Sequence, residues 1–166
     1  MIRFSRVFTI ISMLIAGFAL NVQAQKKDPA NKPAYCTVYT IAANEKPSKL
    51  PAELKSFAHI FSKMPFKVFR TFKLKQKNSI TVHNKYSVSR VSARYSVAVK
   101  LLERILGTAD KMKFRLQLQV RKVAQKDPKR TLTIHDMVMK LHSGKPVFIA
   151  GPKDGTDTLL FGLICK

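Results

Sequence analysis

The sequence predicts a mainly β protein: an antiparallel β-sandwich or barrel of about seven or eight strands with one short accessory helix near residues 50–64. Three observations carry that reading. Lys111–Lys122 (KMKFRLQLQVRK) alternates without a break, with Met112, Phe114, Leu116, Leu118 and Val120 in every second place and Lys, Arg or Gln between them. That is the period of a strand with one buried face. Similar runs recur along the chain, separated by clusters of turn-forming residues. Only Leu50–Met64 has a helical period, whereas a parallel α/β domain needs a crossover helix between successive strands.

The elements follow in order. Arg3 and Arg6 precede an apolar run, Val7–Leu20, and Val22-Gln23-Ala24 supplies a small-x-small ending. This tripartite pattern predicts a secretory signal peptide over residues 1–24. The apolar run has 14 residues, short of the roughly 20 that a membrane helix needs. No integral span is expected after cleavage, and no Cys follows the cut to carry a lipid. Residues 25–33 (QKKDPANKP) are polar and aperiodic, a flexible leader. Residues 34–166 are left as a single β domain, of a size that buries about two-thirds of its unfolded surface.

Tyr35–Ala42 is rich in β-branched and aromatic residues and predicts a first strand. Leu50, Leu54, Phe57, Ala58 and Phe61 then fall on one helical face, with Pro51 and Glu53 suited to the first turn and Pro65 ending the segment. Phe66–Lys75 returns to alternation, which Arg70 interrupts, and Gln76–Ser79 reads as a turn. Ile80–Val91 is a more polar strand pair or a strand plus loop, and Ser92–Ile105 a strand with Ala93, Tyr95, Val97, Val99 and Leu101 on one face. Gly107–Asp110 turns into the Lys111–Lys122 strand, and Gln125–Lys129 turns out of it. Leu132 and Ile134 share one parity while Met137, Met139 and Leu141 share the other, which calls for a bulge near His135-Asp136. Val147–Ala150 and Thr158–Ile164 close the chain across the Gly151–Asp157 loop.

Cys36 and Cys165 lie near opposite ends of the exported chain, in strand-like runs. An even count in an oxidising compartment predicts a bridge between them, with two buried thiols as the alternative.

The succession of a first strand, a leucine-containing helix, Pro65-Phe66 leading towards Leu74, and Phe148-x-x-Gly151-Pro152 before Thr158-Leu159-Leu160 resembles a group of small exported β-proteins of Gram-negative bacteria with no established activity. The resemblance implies export and a β fold, and it brings no catalytic residue.

The chain carries 31 Lys and Arg against nine Asp and Glu, a formal +22; residues 1–24 hold two of the bases and no acid, leaving +20. A surplus of that size implies anionic surroundings. Export turns the expectation toward lipid phosphate, acidic polysaccharide, extracellular nucleic acid or an acidic protein. Lys63–Lys77 and Lys111–Arg130 are the densest basic stretches. The candidate ligand-binding residues are Lys67, Phe69, Lys73 and Lys75 in the first, and Lys111, Lys113, Arg115 and Arg121 in the second. Cations supply affinity for phosphate or carboxylate and an aromatic ring supplies stacking. A generally basic, merely solvated surface is the competing explanation.

Nothing points to catalysis with comparable force. His59, His83, His135 and His142 show neither the HxH nor the HExxH spacing of a metal site. The Gly151–Thr156 segment lacks the Gly-Lys-Ser/Thr end of a phosphate loop. No cofactor, metal or catalytic residue is expected, and the sequence fits a non-catalytic binding module. A structural subunit of a cell-envelope assembly is the alternative. A basic secreted hydrolase using His135 or His142 with Lys140 stands behind both.

Overall fold

A computed structural model describes residues 32–106, 112–124 and 130–166. The expected signal peptide, most of the leader, Lys111 and the turns at 107–110 and 125–129 lie outside the described residues. The described residues form eight strands: β1 (Ala34–Asn44), β2 (Thr71–Val82), β3 (Ser87–Arg90), β4 (Tyr95–Leu106), β5 (Met112–Val123), β6 (Thr131–His142), β7 (Val147–Asp154) and β8 (Asp157–Cys165). They form two four-stranded sheets in the orders β2-β1-β8-β7 and β3-β4-β5-β6, every pairing antiparallel. The fold is therefore a sandwich and not a closed barrel.

The two sheets differ in how many faces they bury. Between them lies the main core, with Val38, Val82, Val97, Val99, Phe114, Leu116, Leu118, Val120, Leu141 and Phe161 among its side chains. Cys36 and Cys165 are directly opposite one another in the β1–β8 ladder and are joined by a disulfide within this core. The first sheet buries its other face as well. There Ile41, Ala43, Phe72, Phe148 and Leu160 meet Leu54, Phe57, Phe61 and Phe66 from the connection between β1 and β2. Burial on both faces explains why β1 and β8 read as nearly continuous apolar runs, while β5 alternates cleanly.

That connection is shorter in its helical part than expected. A 3-10 turn spans Ala52–Phe57, and one α turn, α1 (Ala58–Phe61), follows it. The strand expected from Phe66 begins only at Thr71, because Phe66–Val68 makes another 3-10 turn after a cis Met64–Pro65 bond. Phe66 is needed in the outer aromatic cluster, so the chain crosses the sheet face before it joins the ladder.

The turn expected at Gln76–Ser79 is strand. Thr40 pairs with Gln76 but Ile41 pairs with Leu74, so Lys75 is an extra residue. This bulge reverses the parity: Phe72 and Leu74 face the outer cluster, whereas Ile80 and Val82 face the main core. In β6 the extra residue is Ile134, between the pairs Arg121–Thr133 and Val120–His135, next to the site that the parity change predicted. At the β7–β8 turn Gly155 adopts φ 68°, a left-handed backbone that glycine takes without steric cost. Opposite each other in that hairpin, Phe148 lies over Gly162, where a Cβ would fall 2.4 Å from the ring.

The edges β2 and β3 close on each other. Asn78 Nδ2 donates to Ser89 Oγ at 2.7 Å, and Ser87 Oγ donates to the Thr81 carbonyl at 2.5 Å. At one end of the core Arg104 donates to the carbonyls of Lys32 and Pro33, with its guanidinium 5.5 Å from the Phe114 ring centre. Among the described residues no helix is long and apolar enough to cross a membrane.

Candidate anion-binding surface

Among the described residues, the second sheet has one face in the core and the other uncovered. Alternation along β5 sends Lys113, Arg115, Gln117, Gln119 and Arg121 to the uncovered side, because Phe114, Leu116, Leu118 and Val120 are held inside. Register then fixes their neighbours. Arg121 lies beside Ser96 and Thr133, Gln119 beside Ala98 and Asp136, and Gln117 beside Lys100 and Val138. Arg115 lies between Glu103 and Lys140, and Lys113 lies beside His142. From β3, Arg90 pairs with Ser96. Six cations, Arg90, Lys100, Lys113, Arg115, Arg121 and Lys140, thus share this face with two acids, Glu103 and Asp136.

The face has internal order. The Tyr86 ring, just before β3, has the Arg121 guanidinium 4.9 Å from its centre and the Lys100 ammonium 5.9 Å away. Arg121 donates through Nε and Nη2 to Gln119 Oε1, at 3.0 and 2.6 Å. Gln119 Nε2 in turn donates to Asp136 Oδ2 at 2.7 Å, and Gln117 Nε2 donates to both carboxylate oxygens, at 2.9 and 3.1 Å. The Gln117 bond first and the Gln119 bond second hold the Asp136 carboxyl below its ordinary range, against a desolvation effect that exceeds the smaller help from the charge of Arg121. Beneath this network Ser96 and Ala98 are 4% and 0% exposed although they point away from the core. Small residues on the central strand let the longer neighbours close over them.

Chemically, the arrangement is a guanidinium held by Gln119 and an ammonium, both beside one aromatic ring. Such a group takes a planar or phosphate-bearing anion by charge, and a ring or sugar by contact. Arg115 and Glu103 approach to 3.9 Å with both side chains about half exposed, so water screens that pair and leaves it little energetic weight.

The same sheet ends in a cavity of about 730 Å³ lined by Arg94, Tyr95, Lys122, Val123, Ala124, Arg130, Thr131 and Leu132. Its floor is tied by ladder-like bonds from Val123 N to the Arg94 carbonyl and from Ala124 N to the Arg130 carbonyl. Arg94 faces Asp154 at 3.6 Å, and the Tyr95 hydroxyl donates to the Lys153 carbonyl at 3.3 Å. Leu132 is 66% exposed at the rim. Apolar walls and three basic residues suit an anionic group attached to a short apolar portion. Lys122 follows Arg121 and pairs with Tyr95, so alternation turns it to the opposite side of the sheet, and the cavity is separate from the cationic face.

The sequence-predicted residues are divided between the sheets. Lys113, Arg115 and Arg121 come together on the face just described. Lys67 sits in the 3-10 turn before β2, and Lys73 and Lys75 are exposed on β2, in the other sheet. Phe69 is half-buried against the outer aromatic cluster, 6.4 Å from Phe72 in an edge-on contact, and is not an outward ring among the lysines. Lys111 lies outside the described residues. Sequence reasoning missed Tyr86, Arg90 and Lys100, and weighed Lys140 only for a hydrolase; Arg90, Lys100 and Lys140 reach the site through cross-strand register, and Tyr86 through its ring contacts with Arg121 and Lys100. No group of three His, Cys, Asp or Glu side chains gathers as a metal site among the described residues. Set against protein-family models, curated proteins and solved structures, the chain matches none of them.

Proposed function

We propose that this protein is an exported, non-catalytic binding module for an anionic ligand of the envelope or extracellular space. The observation that carries the reading is the uncovered face of the second sheet, where Arg121 and Lys100 flank Tyr86 among further cations. The N-terminal pattern of the sequence and the Cys36–Cys165 disulfide support an oxidising, non-cytoplasmic setting, and the surplus of Lys and Arg supports an anionic partner. Lipid phosphate, acidic polysaccharide and single-stranded nucleic acid share the chemistry the face recognises.

The test is binding at low salt to vesicles containing phosphatidylglycerol, and separately to a single-stranded oligonucleotide. Affinity falls steeply as salt rises, and Arg121→Ala or Tyr86→Ala weakens it with a shallower salt slope for the Arg variant. Lys73→Ala with Lys75→Ala, on the other sheet, leaves binding nearly unchanged. An equal loss from the two sets of variants, or no binding to either probe at low salt, would overturn the assignment. A structural subunit of an envelope assembly is the second reading. One observation favours it: among the described residues β6 forms an edge of its sheet.

A further inference from the structure

The sandwich has four sheet edges, β2 and β7 in the first sheet and β3 and β6 in the second. An unprotected edge offers a row of backbone donors and acceptors to any extended partner. Three of the four are obstructed. β2 and β3 are tied together through Asn78–Ser89 and Ser87–Thr81. β7 is broken by the irregularity between Ala150 and Lys153 and carries Pro152, which has no N–H to donate. β6 runs from Thr131 to His142 without a proline and with most of its residues exposed.

After the bulge at Ile134, the regular part of β6 is His135–His142, and Val138 lies near its middle. Val138 is 53% exposed, an apolar side chain in the middle of an otherwise polar outward row. Two residues before it on the same face stands Asp136, and two residues after it stands Lys140. That pattern is self-complementary. In an antiparallel pair of identical strands centred on Val138, Val138 meets itself, Asp136 meets Lys140 of the other copy on either side, and Met137 meets Met139 on the core-facing side. A two-fold axis makes both charge contacts at once. Gln117 and Gln119 hold the Asp136 carboxylate from the β5 side, and its side chain is exposed, so it can extend to Lys140 of a second copy only in exchange for part of those bonds.

We propose that β6 is a homodimerisation edge, through which two copies of this chain pair antiparallel along His135–Leu141 about a two-fold axis at Val138. The two second sheets then form one eight-stranded sheet whose cationic faces lie side by side. The proposal needs no ligand and stands apart from anion binding. Each copy carries a large positive charge, so long-range repulsion opposes the dimer at low salt and screening relieves it.

Sedimentation equilibrium of the exported chain, without polyanion, tests it at about 10 μM to 1 mM protein and about 0.05 to 0.5 M salt. A monomer–dimer equilibrium that tightens with salt is expected. Lys140→Asp sets two acids against each other at each contact, and Asp136→Lys sets two bases; each weakens the dimer about tenfold or more. The exchange Asp136→Lys with Lys140→Asp restores the opposed charges and recovers at least part of the affinity. Asp136→Lys also removes the bonds from Gln117 and Gln119, so Lys140→Asp is the decisive single variant if the other folds poorly. A chain that stays monomeric at every salt and concentration overturns the proposal. So does a Lys140→Asp variant that dimerises as well as the parent.

Discussion

Gly162→Ala should destabilise the protein through one ring. A Cβ added at Gly162 would stand 2.4 Å from Phe148 Cε1 and 2.9 Å from Cδ1 and Cζ, whereas carbons rest at about 3.5–4.0 Å. The ring must therefore retreat by roughly 1 Å. It has nowhere to go, because Phe57 and Phe61 pack edge-on against it with centroids 5.0 and 5.2 Å away. Overpacking of this kind costs about 1–3 kcal/mol. In a strand an alanine should otherwise gain about 0.5–1 kcal/mol over glycine, by reducing the freedom of the unfolded chain. Removing the obstruction should therefore reverse the sign. Phe148→Ala alone is expected to cost about 3–5 kcal/mol, since it empties a buried site. Within that background Gly162→Ala should be neutral or stabilising, because the new methyl enters the vacated space. Urea unfolding of the four proteins gives the coupling, expected at about 1–4 kcal/mol. If Gly162→Ala costs the same with and without the Phe148 ring, or is harmless in the parent, the packing argument fails. Phe148→Leu provides the same comparison with a smaller cavity should the alanine variant unfold.

Two further outcomes follow from the fold and the face. Replacing Cys36 and Cys165 with Ala opens a loop closed over a sequence separation of 129 residues, worth about 5 kcal/mol in the chain-entropy model. Calorimetry should then show a Tm lower by about 10–20 °C, and an unchanged Tm would mean that the β1–β8 ladder alone holds the ends together. Asp136 should titrate below 3.8, its ordinary value, in a carboxyl-resolved NMR titration. Because the folded-state pKa is depressed, its contribution to stability is present above about 3.8 and is lost as the pH falls through the folded value. Gln117→Ala should raise it most, and a carboxyl titrating at or above 3.8 in the parent would remove Asp136 from the network.

Local period made much of the fold legible. β5 could be read directly, since Met112 to Val120 alternates with one face in the core. Cys36 and Cys165 could be paired from compartment and position alone. The first sheet was harder to read, because a strand buried on both faces has no polar phase to count, as Leu159-Leu160-Phe161 shows. Phe66, Phe72 and Leu74 have one parity with Ile80 and Val82, which concealed the bulge at Lys75. The two ends of β2 serve different cores, and only the pairing with β1 reveals it. The site was legible in part for the same reason. Arg115 and Arg121 share a face by simple alternation, but Lys100 and Lys140 join them through hydrogen-bonded register with other strands, and Tyr86 joins from the segment before β3. Phe69 was the opposite case: its position among lysines suggested an outward ring, and the aromatic cluster over the first sheet draws it in.

The division between the sheets bears on how the fold tolerates its charge. The first sheet is buried on both faces and is closed by the disulfide, so apolar burial and cross-linking are concentrated there. The second sheet has a single buried face and places Arg115 directly opposite Lys140, a like-charge pair that is locally unfavourable by about 0.2–1 kcal/mol. Neutral residues such as Gln117 and Gln119 occupy adjacent rows without that cost, so solubility alone does not account for the cations. An anionic ligand would relieve the repulsion by neutralising it. Pairing through β6 would relieve part of it by bringing Asp136 of one copy beside Lys140 of the other. Salt separates these two forms of relief. It weakens ligand binding by removing the gain from released counterions, but strengthens self-pairing because repulsion between two whole chains outweighs two local charge contacts. Opposite salt responses in the same protein, with Arg121→Ala changing the first and Lys140→Asp the second, would trace both to the arrangement of this face and not to its total charge.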